Sequence, residues 1–346
     1  MNGGTESAQG AKKLLDIQNL HTSFFTHFGE VKAVDDVSLY LDRGETLGIV
    51  GESGSGKSVT MLSVMGLLSE NGRVVSGSVT LSGRELSNLP EREMESVRGN
   101  EIGMIFQDPM TSLDPVFTIG HQITETIMKH KSVSREEAKA RAIEILSSVM
   151  IPSPSRRMGQ YPHEFSGGMR QRVMIAIALC CDPDILIADE PTTALDVTIQ
   201  AQILDLMKDL NKRTGTSIIL ITHDLGVVAG ICDRVNVMYA GHIAESGTVR
   251  DIFHMPRHPY TWGLLKSVPN PKRIVKERLV PIKGQPPDLL KPPAGCAFAP
   301  RCEYAMKICL AKRPPAFDIA EGHAASCYLN HPDAPRVPDA PVRAGV

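Results

Sequence analysis

The apolar run Thr46–Val50 leads directly into Gly51-Glu52-Ser53-Gly54-Ser55-Gly56-Lys57-Ser58, and an apolar helical stretch follows from Val59. This segment matches the pattern G-x-x-x-x-G-K-[ST], with a strand before it and a helix after it. Glycines let the backbone turn tightly and direct its N–H groups toward phosphate oxygens, and the positive end of the following helix faces the same anion. The segment therefore predicts a phosphate-binding loop in which Lys57 reaches the β- and γ-phosphates and Ser58 binds Mg²⁺.

Alternating strands and helices before Met255 indicate an α/β core. The predicted strands are Leu14–Leu20, Val31–Leu41, Thr46–Val50, Gly77–Leu81, Ile102–Phe106, Ile185–Ala188, Ser217–Ile221, Arg234–Tyr239 and His242–Glu245. Short, wholly apolar runs among them are typical of buried parallel strands. Between Phe106 and Ser166 the strand pattern is lost, and Ile119–Lys129 and Arg135–Met150 are predicted to be helical. This part of the chain is expected to be a helical insert in the α/β core.

Two carboxylates follow the apolar run Ile185–Ala188, namely Asp189 and Glu190. Acids at the carboxyl end of a buried parallel strand lie in the ligand crevice of such a sheet. Asp189 is predicted to hold Mg²⁺, directly or through water, and Glu190 to act as the general base on the attacking water.

A third segment reads Phe165-Ser166-Gly167-Gly168-Met169-Arg170-Gln171-Arg172 before an apolar helical run. It resembles the Leu-Ser-Gly-Gly-Gln signature of the ATP-binding cassette ATPases, from which it departs at Phe165 and Met169. Further elements of that family occur in the same order, and the resemblance covers about Leu14 to Met255. They are Gln107 at the Q-loop, Ala194-Leu195-Asp196 at the D-loop, His223 at the switch histidine, and Phe28, 29 residues before Lys57, at the adenine-stacking aromatic.

This resemblance implies a P-loop cassette ATPase with an antiparallel β subdomain and a helical subdomain at about 108–180. It implies that ATP and Mg²⁺ are bound and that Glu190, His223 and Gln107 serve catalysis. The implied Mg²⁺ ligands are Ser58, Gln107 and Asp189. The implied nucleotide-binding residues are Phe28, Gly51, Glu52, Ser53, Gly54, Ser55, Gly56, Lys57, Ser58, Val59, Asp189, Ser166, Gly167, Gly168 and Asp196. Because cassettes of this family share two ATPs between two subunits, a second cassette is implied, a homologue or a second copy.

The composition changes after residue 250. The segment from Asp251 to Val346 holds 16 of the 24 prolines and carries 14 Lys+Arg against 8 Asp+Glu, whereas the first 250 residues carry a charge of −8. This predicts an ATPase domain at 14–255 and a small, loop-rich, cysteine-containing domain at 256–330. Residues 1–13 and 331–346 lack apolar periodicity and are expected to be disordered.

The C-terminal segment indicates which branch of this family the chain resembles. His258-Pro259-Tyr260-Thr261 and Pro292-Pro293-Ala294-Gly295-Cys296 resemble the region after the cassette in D-type ATPases of oligopeptide/dipeptide (peptide/opine/nickel) importers. The resemblance implies two transmembrane permease subunits, docked on the helical insert and the loop after Gln107. It also implies an extracytoplasmic substrate-binding protein and a peripheral position at the cytoplasmic face of the inner membrane. Peptides are the expected cargo, with nickel, opines or oligosaccharides as alternatives.

Four of the seven cysteines, Cys296, Cys302, Cys309 and Cys327, lie in this segment with the pattern C-x5-C-x6-C-x17-C. The pattern matches neither zinc-ribbon nor ferredoxin spacing, so by itself it indicates one four-thiolate metal site. The family resemblance implies a [4Fe-4S] cluster, while zinc and plain thiols remain alternatives. Cys180, Cys181 and Cys232 lie in apolar stretches and are predicted to be core thiols.

Charge and hydropathy weigh against other classes of protein. The net charge of −2 gives no support for nucleic-acid binding, although a soluble cassette acting on nucleic acid remains the main rival. An iron–sulfur redox protein is a second rival, but no flavin or NAD fingerprint is evident. The longest apolar run, Val173–Cys181, is too short to cross a bilayer, and the N-terminus has no secretory pattern.

Overall fold

The computed structural model describes residues 13–107, 112–193, 195–267 and 281–337. Three predictions therefore lie wholly or partly outside the described residues: the disordered N-terminus, the disordered tail beyond residue 337, and the parts of the two motif loops at 108–111 and Ala194. Residues 331–337 are described, and there the Ala334 N–H donates to the His331 carbonyl at 3.0 Å.

The strands and helices follow the predicted alternation. The strands are β1 (Leu15–Thr26), β2 (Gly29–Leu41), β3 (Thr46–Val50), β4 (Gly72–Leu81), β5 (Arg84–Glu85), β6 (Ile102–Ile105), β7 (Ile185–Asp189), β8 (Ser217–Thr222), β9 (Arg234–Tyr239), β10 (His242–Thr248), β11 (Phe317–Ala320) and β12 (His323–Ala325). The α-helices are α1 (Lys57–Met65), α2 (Glu91–Val97), α3 (Ile119–His130), α4 (Arg135–Ser148), α5 (Pro154–Arg157), α6 (Gly167–Leu179), α7 (Val197–Thr214), α8 (Leu225–Ile231), α9 (Val249–His254), α10 (Pro259–Lys266) and α11 (Lys307–Ala311). Every strand predicted before Met255 is present, and β1 and β4 are longer than predicted.

The main sheet places the phosphate-binding strand at its centre. Its order is β11-β12-β10-β9-β3-β8-β7-β6, and the run from β9 to β6 is parallel. In β7 the side chains alternate between two cores, Ile185 and Ile187 on one face and Leu186 and Ala188 on the other. Burial on both faces explains why these strands are wholly apolar.

An antiparallel sheet, β2-β1-β4-β5, covers one face of the main sheet. Leu15, Val34 and Val79 of this sheet share a core with Met61 of α1 and Ile49 of β3. The predicted antiparallel subdomain is therefore present.

The helical insert packs on the other face. Its α3 and α4 begin at Thr118 and Ser134, each of which accepts a hydrogen bond from a backbone N–H three residues later. Buried Ile123 and Ala142 from these helices join one core with Val173 of α6. Of the described helices, none combines the length and the apolar character needed to span a bilayer.

The C-terminal segment continues the main sheet. Strand β12 pairs with β10, and β11 pairs with β12. The buried Glu245 carboxylate of β10 accepts hydrogen bonds from the N–H groups of Arg257 and His258, and it lies 2.9 Å from His323 Nε2. The pairing of this loop-rich segment with the cassette was not expected from the sequence, because strands of three and four residues are too short to show an alternating pattern.

Candidate functional site

The phosphate-binding loop passes close to neighbouring backbone. Gly56 has φ of 101°, and a Cβ atom there would lie 2.6 Å from the Ala33 carbonyl oxygen. Gly51 is closer still, since a Cβ would lie 2.2 Å from the carbonyl oxygen of Met238. Only glycine fits at both positions, so the loop conformation depends on these residues.

Lys57 is the first residue of α1, and its side chain turns back over the loop. Its Nζ donates to the carbonyl oxygens of Gly51 at 2.8 Å and Glu52 at 3.0 Å. Burial lowers the pKa of the Lys57 ammonium, although the carboxylates of Glu190, Asp189 and Glu52 act in the opposite direction. The side chain thus provides a partly desolvated cation inside the loop.

Ser58, in the first turn of α1 after β3, and Asp189, at the end of β7, come together at the carboxyl edge of the main sheet. The Ser58 hydroxyl donates to Asp189 Oδ1 at 2.9 Å. Burial raises the pKa of Asp189, while the hydrogen bond from Ser58 opposes that rise. A hydroxyl and a carboxylate in contact beside a phosphate site are oxygen ligands suited to Mg²⁺.

Glu190 lies at the centre of the predicted catalytic group. Gln107 Nε2 donates to it at 3.1 Å, and His223 Nδ1 lies 3.2 Å from its other oxygen. Burial acts to raise the pKa of Glu190, but the hydrogen bonds from Thr193 and His223 and the positive charges nearby outweigh it, so the pKa is lowered. The carboxylate is therefore ionised at neutral pH. Gln107, predicted also as a Mg²⁺ ligand, has its described hydrogen bond to Glu190 rather than to Ser58 or Asp189.

Two features of Glu190 were missed by the sequence reasoning. Its backbone has φ of 47°, a left-handed conformation that is uncommon for a residue other than glycine. Thr193 Oγ1 donates to its carboxylate at 2.9 Å, and the Thr193 N–H donates to its carbonyl at 3.1 Å. The only sequence signal for this turn is the polar run after β7. Backbone strain of this kind is common at functional sites.

The Ser-Gly-Gly turn, Ser166 to Gly168, lies at the start of α6. Ser166 caps the helix by accepting from the Met169 N–H at 3.4 Å, and both Ser166 and Gly167 are exposed. Gly168 lies against Ile199, whose Cγ2 would be 2.7 Å from an added Cβ. Asp196 accepts from the N–H groups of Thr198 and Ile199 at 3.0 Å each and thereby caps α7. These two motif segments therefore present their polar groups at the surface.

Phe28 occupies the turn between β1 and β2. Its side chain is 81% exposed, and its ring centroid lies 4.8 Å from that of His27. An exposed aromatic ring at this position is accessible to a ligand, and its predicted stacking on adenine stays a prediction.

The four cysteines of the C-terminal segment line one small cavity. Burial raises the pKa of the Cys302 thiol to about 11 and that of Cys327 to about 12, and neighbouring cysteines contribute in both cases. Throughout the described ranges, however, no set of three or more His, Cys, Asp or Glu side chains has the arrangement of a metal site. Cys180 and Cys181 are buried and Cys232 is half-buried, as expected of core thiols.

Two family models match the chain: ABC transporter at residues 34–193, and oligopeptide/dipeptide transporter, C-terminal region, at residues 244–309. Among curated proteins, the chain is 58% identical over 326 residues to the oligopeptide transport ATP-binding protein OppD of Bacillus subtilis, covering 94% of this chain and 91% of that protein. It is 54% identical to the dipeptide transport ATP-binding protein DppD of Lactococcus lactis, covering 94% of this chain and 93% of that protein.

Solved cassette structures resemble the same part of the chain. The dimeric ATP-binding cassette MJ0796 bound to ADP and Pi has a TM-score of 0.62 at 28% identity, covering 68% of this chain and 99% of that one. The cbiO1 protein of Clostridium perfringens has a TM-score of 0.60 at 26% identity, covering 70% of this chain and 92% of that one.

Proposed function

The chain belongs to the ATP-binding cassette transporter ATPases of the oligopeptide/dipeptide branch, and on this premise we propose that it powers uptake of di- and oligopeptides across the cytoplasmic membrane. It is an ATPase. The single observation that supports the cargo best is identity of more than half to peptide-transport ATPases along a shared length that includes the C-terminal region.

The hydrolytic step is assigned to residues that the fold brings together. Ser58 and Asp189 would hold Mg²⁺, which neutralises charge on the β- and γ-phosphate oxygens when bound. Lys57 would exchange its carbonyl partners for those oxygens. Glu190, ionised and held by Thr193 and Gln107, would accept the proton of the attacking water. His223 would donate a hydrogen bond to the γ-phosphate as charge develops there.

A second cassette completes the site in this proposal. Ser166 and Gly167 are exposed at the start of α6, and their capping contacts are local. A helix N-terminus that faces solvent can bind the γ-phosphate held by another cassette. The partner is proposed to be a homologous ATPase, giving a heterodimer with one Ser-Gly-Gly turn at each ATP.

Two permease subunits are proposed to dock on the helical insert. In the sequence that follows residues 108–111, Val116 and Phe117 are exposed at 69% and 44%, and Phe106 and Met128 are also exposed. Exposed large apolar side chains are candidates for contacts with a partner protein. The chain would thus lie at the cytoplasmic face of the inner membrane, and an extracytoplasmic binding protein would deliver cargo to the permeases.

An uptake assay in cells whose own copy of this protein has been deleted distinguishes the possible cargoes. Cells complemented with the wild-type chain are expected to accumulate labelled di- and tetrapeptides, whereas cells complemented with Glu190→Gln are not. Parallel cultures are given labelled nickel, an opine or an oligosaccharide in place of the peptides. Accumulation of one of these loads, without peptide uptake, would contradict the peptide assignment.

We also propose that Cys296, Cys302, Cys309 and Cys327 hold a [4Fe-4S] cluster as a structural staple. The donor set fits such a cluster in its chemistry, because the four thiols line one cavity and a cationic centre would relieve repulsion between neighbouring thiolates. Burial, and after it the neighbouring cysteines, raises the pKa of the Cys327 thiol, and metal binding would favour its thiolate. Their loops would have to rearrange to ligate it, since the described arrangement is not that of a metal site.

Metal analysis of the full chain after anaerobic purification tests the cluster. About four irons per chain and a broad absorption at about 400 nm are expected. Cys302→Ser should lose the iron, whereas the matched control Cys232→Ser should keep it. Stoichiometric zinc without iron, or no metal at all, would show that the cluster is wrong.

A further inference from the structure

The C-terminal segment contacts the phosphate-binding loop at Glu52. Arg301 donates to both oxygens of the Glu52 carboxylate, at 2.6 and 3.0 Å, although the two residues lie 249 positions apart. The Glu52 N–H donates to the Tyr260 hydroxyl at 2.8 Å. Both the side chain and the backbone of this loop residue are therefore held by residues that follow the cassette.

Arg301 is itself held in place. Its side chain is 4% exposed, and it donates to the carbonyl oxygens of Lys283 and Ile282 at 2.9 and 3.3 Å and to the Tyr239 hydroxyl at 3.2 Å. It ends the short 3₁₀ helix Ala299–Arg301, one residue before Cys302. The planar guanidinium is buried and hydrogen-bonded on several sides, which restricts its orientation. It therefore forms a rigid connection between the four-cysteine segment and the phosphate-binding loop.

Glu52 lies in the phosphate-binding loop next to Lys57, so its contact with Arg301 can affect nucleotide binding. The Glu52 carbonyl accepts from Lys57 Nζ at 3.0 Å, so its carboxylate belongs to the same short loop as the phosphate-binding amine. An unpaired carboxylate there would attract Lys57 and repel the triphosphate. The paired guanidinium neutralises that charge, so the carboxylate neither draws Lys57 away nor repels the phosphates.

We propose that Arg301 and Tyr260 are positioning residues for ATP binding: through Glu52 they hold the loop in its binding conformation and cancel a negative charge beside the triphosphate. The C-terminal segment thereby sets the affinity for nucleotide. This proposal rests on the chain's binding and hydrolysis of ATP, so its test does not depend on the identity of the cargo.

The test measures the dissociation constant of a fluorescent ATP analogue on the full chain, together with KM and kcat of the complex. Arg301→Ala is expected to raise Kd and KM about tenfold, which corresponds to about 1.4 kcal/mol, while kcat changes less than about twofold. Arg301→Lys, which keeps the charge but not the two-point geometry, and Tyr260→Phe, which removes the acceptor for the Glu52 N–H, are each expected to raise Kd about threefold.

Two further variants separate positioning from a general structural role. Arg313→Ala is the matched control, because Arg313 also joins the C-terminal segment to the cassette, through Asp35 at 2.8 Å, without contacting the loop. It is expected to leave Kd unchanged. Adding Glu52→Gln to Arg301→Ala removes the unpaired carboxylate and is expected to recover most of the affinity.

Three results would overturn the proposal. One is a Kd in Arg301→Ala and Arg301→Lys equal to that of the wild type. Another is an equal loss of affinity in Arg313→Ala, which would indicate loosening of the whole segment. The third is a double variant no tighter than Arg301→Ala. Should Arg301→Ala fail to fold, Arg301→Lys and Tyr260→Phe decide the question: a Kd equal to that of the wild type in both would overturn the proposal.

Discussion

Replacing Glu190 with Gln is expected to lower the rate of ATP hydrolysis about a thousandfold while ATP binding is preserved. Glutamine has nearly the same shape and can keep hydrogen bonds to Thr193 and Gln107, but its amide cannot accept the proton of the attacking water. The lowered pKa of the native carboxylate means that the base is already ionised at neutral pH, so the whole loss is a loss of the base.

The measurement is single-turnover hydrolysis in the assembled complex, with the equivalent carboxylate of the second cassette also replaced so that its site adds no activity. Asp209→Asn, an exposed change on α7 and outside the helical insert, serves as the control and is expected to hydrolyse at the wild-type rate. A wild-type rate in Glu190→Gln would show that the assigned base is wrong.

Replacing Lys57 with Ala is expected to weaken ATP binding about a hundredfold and to reduce hydrolysis at least as much. The amine lies inside the loop, hydrogen-bonded to Gly51 and Glu52, and burial lowers its pKa, so it reaches the phosphates with little water to lose. Removing a desolvated charge should not lower the unfolding midpoint, because the cost of burying that charge disappears with it.

Nucleotide binding and thermal unfolding of the full chain check this expectation together. Lys212→Ala, an exposed change in the last turn of α7, is the control and is expected to bind ATP normally. Wild-type affinity in Lys57→Ala would contradict the assignment of the phosphate-binding amine.

Much of the site could be predicted because its chemistry lies in continuous segments. The loop from Gly51 to Ser58 needs a strand before it and a helix after it, and the local sequence contains both. The carboxylates after β7 are equally local, since an apolar run ends in two acids. The parallel pairing of β3, β8 and β7 then brings Ser58 and Asp189 into contact, as the rule for carboxyl ends of parallel strands predicts.

The rest depended on tertiary contacts that leave no local pattern. The left-handed backbone of Glu190 follows from the turn that Thr193 closes, and an acid followed by polar residues does not predict it. The pairing of Arg301 with Glu52 joins a proline-flanked segment to a glycine-rich loop far away in the sequence. Strands β11 and β12 are too short for a period, so the extension of the main sheet could not be predicted.

ATP hydrolysis by the complex co-purified with its membrane partners tests most directly whether the chain drives peptide import. Binding protein loaded with peptide is expected to stimulate hydrolysis several-fold in a reconstituted bilayer, and Glu190→Gln in this chain should abolish the stimulation. Binding protein without cargo, or with a nickel chelate or oligosaccharide, should not stimulate it. Peptide import by this chain would be contradicted if no membrane partner co-purified and nucleic acid, rather than loaded binding protein, stimulated hydrolysis.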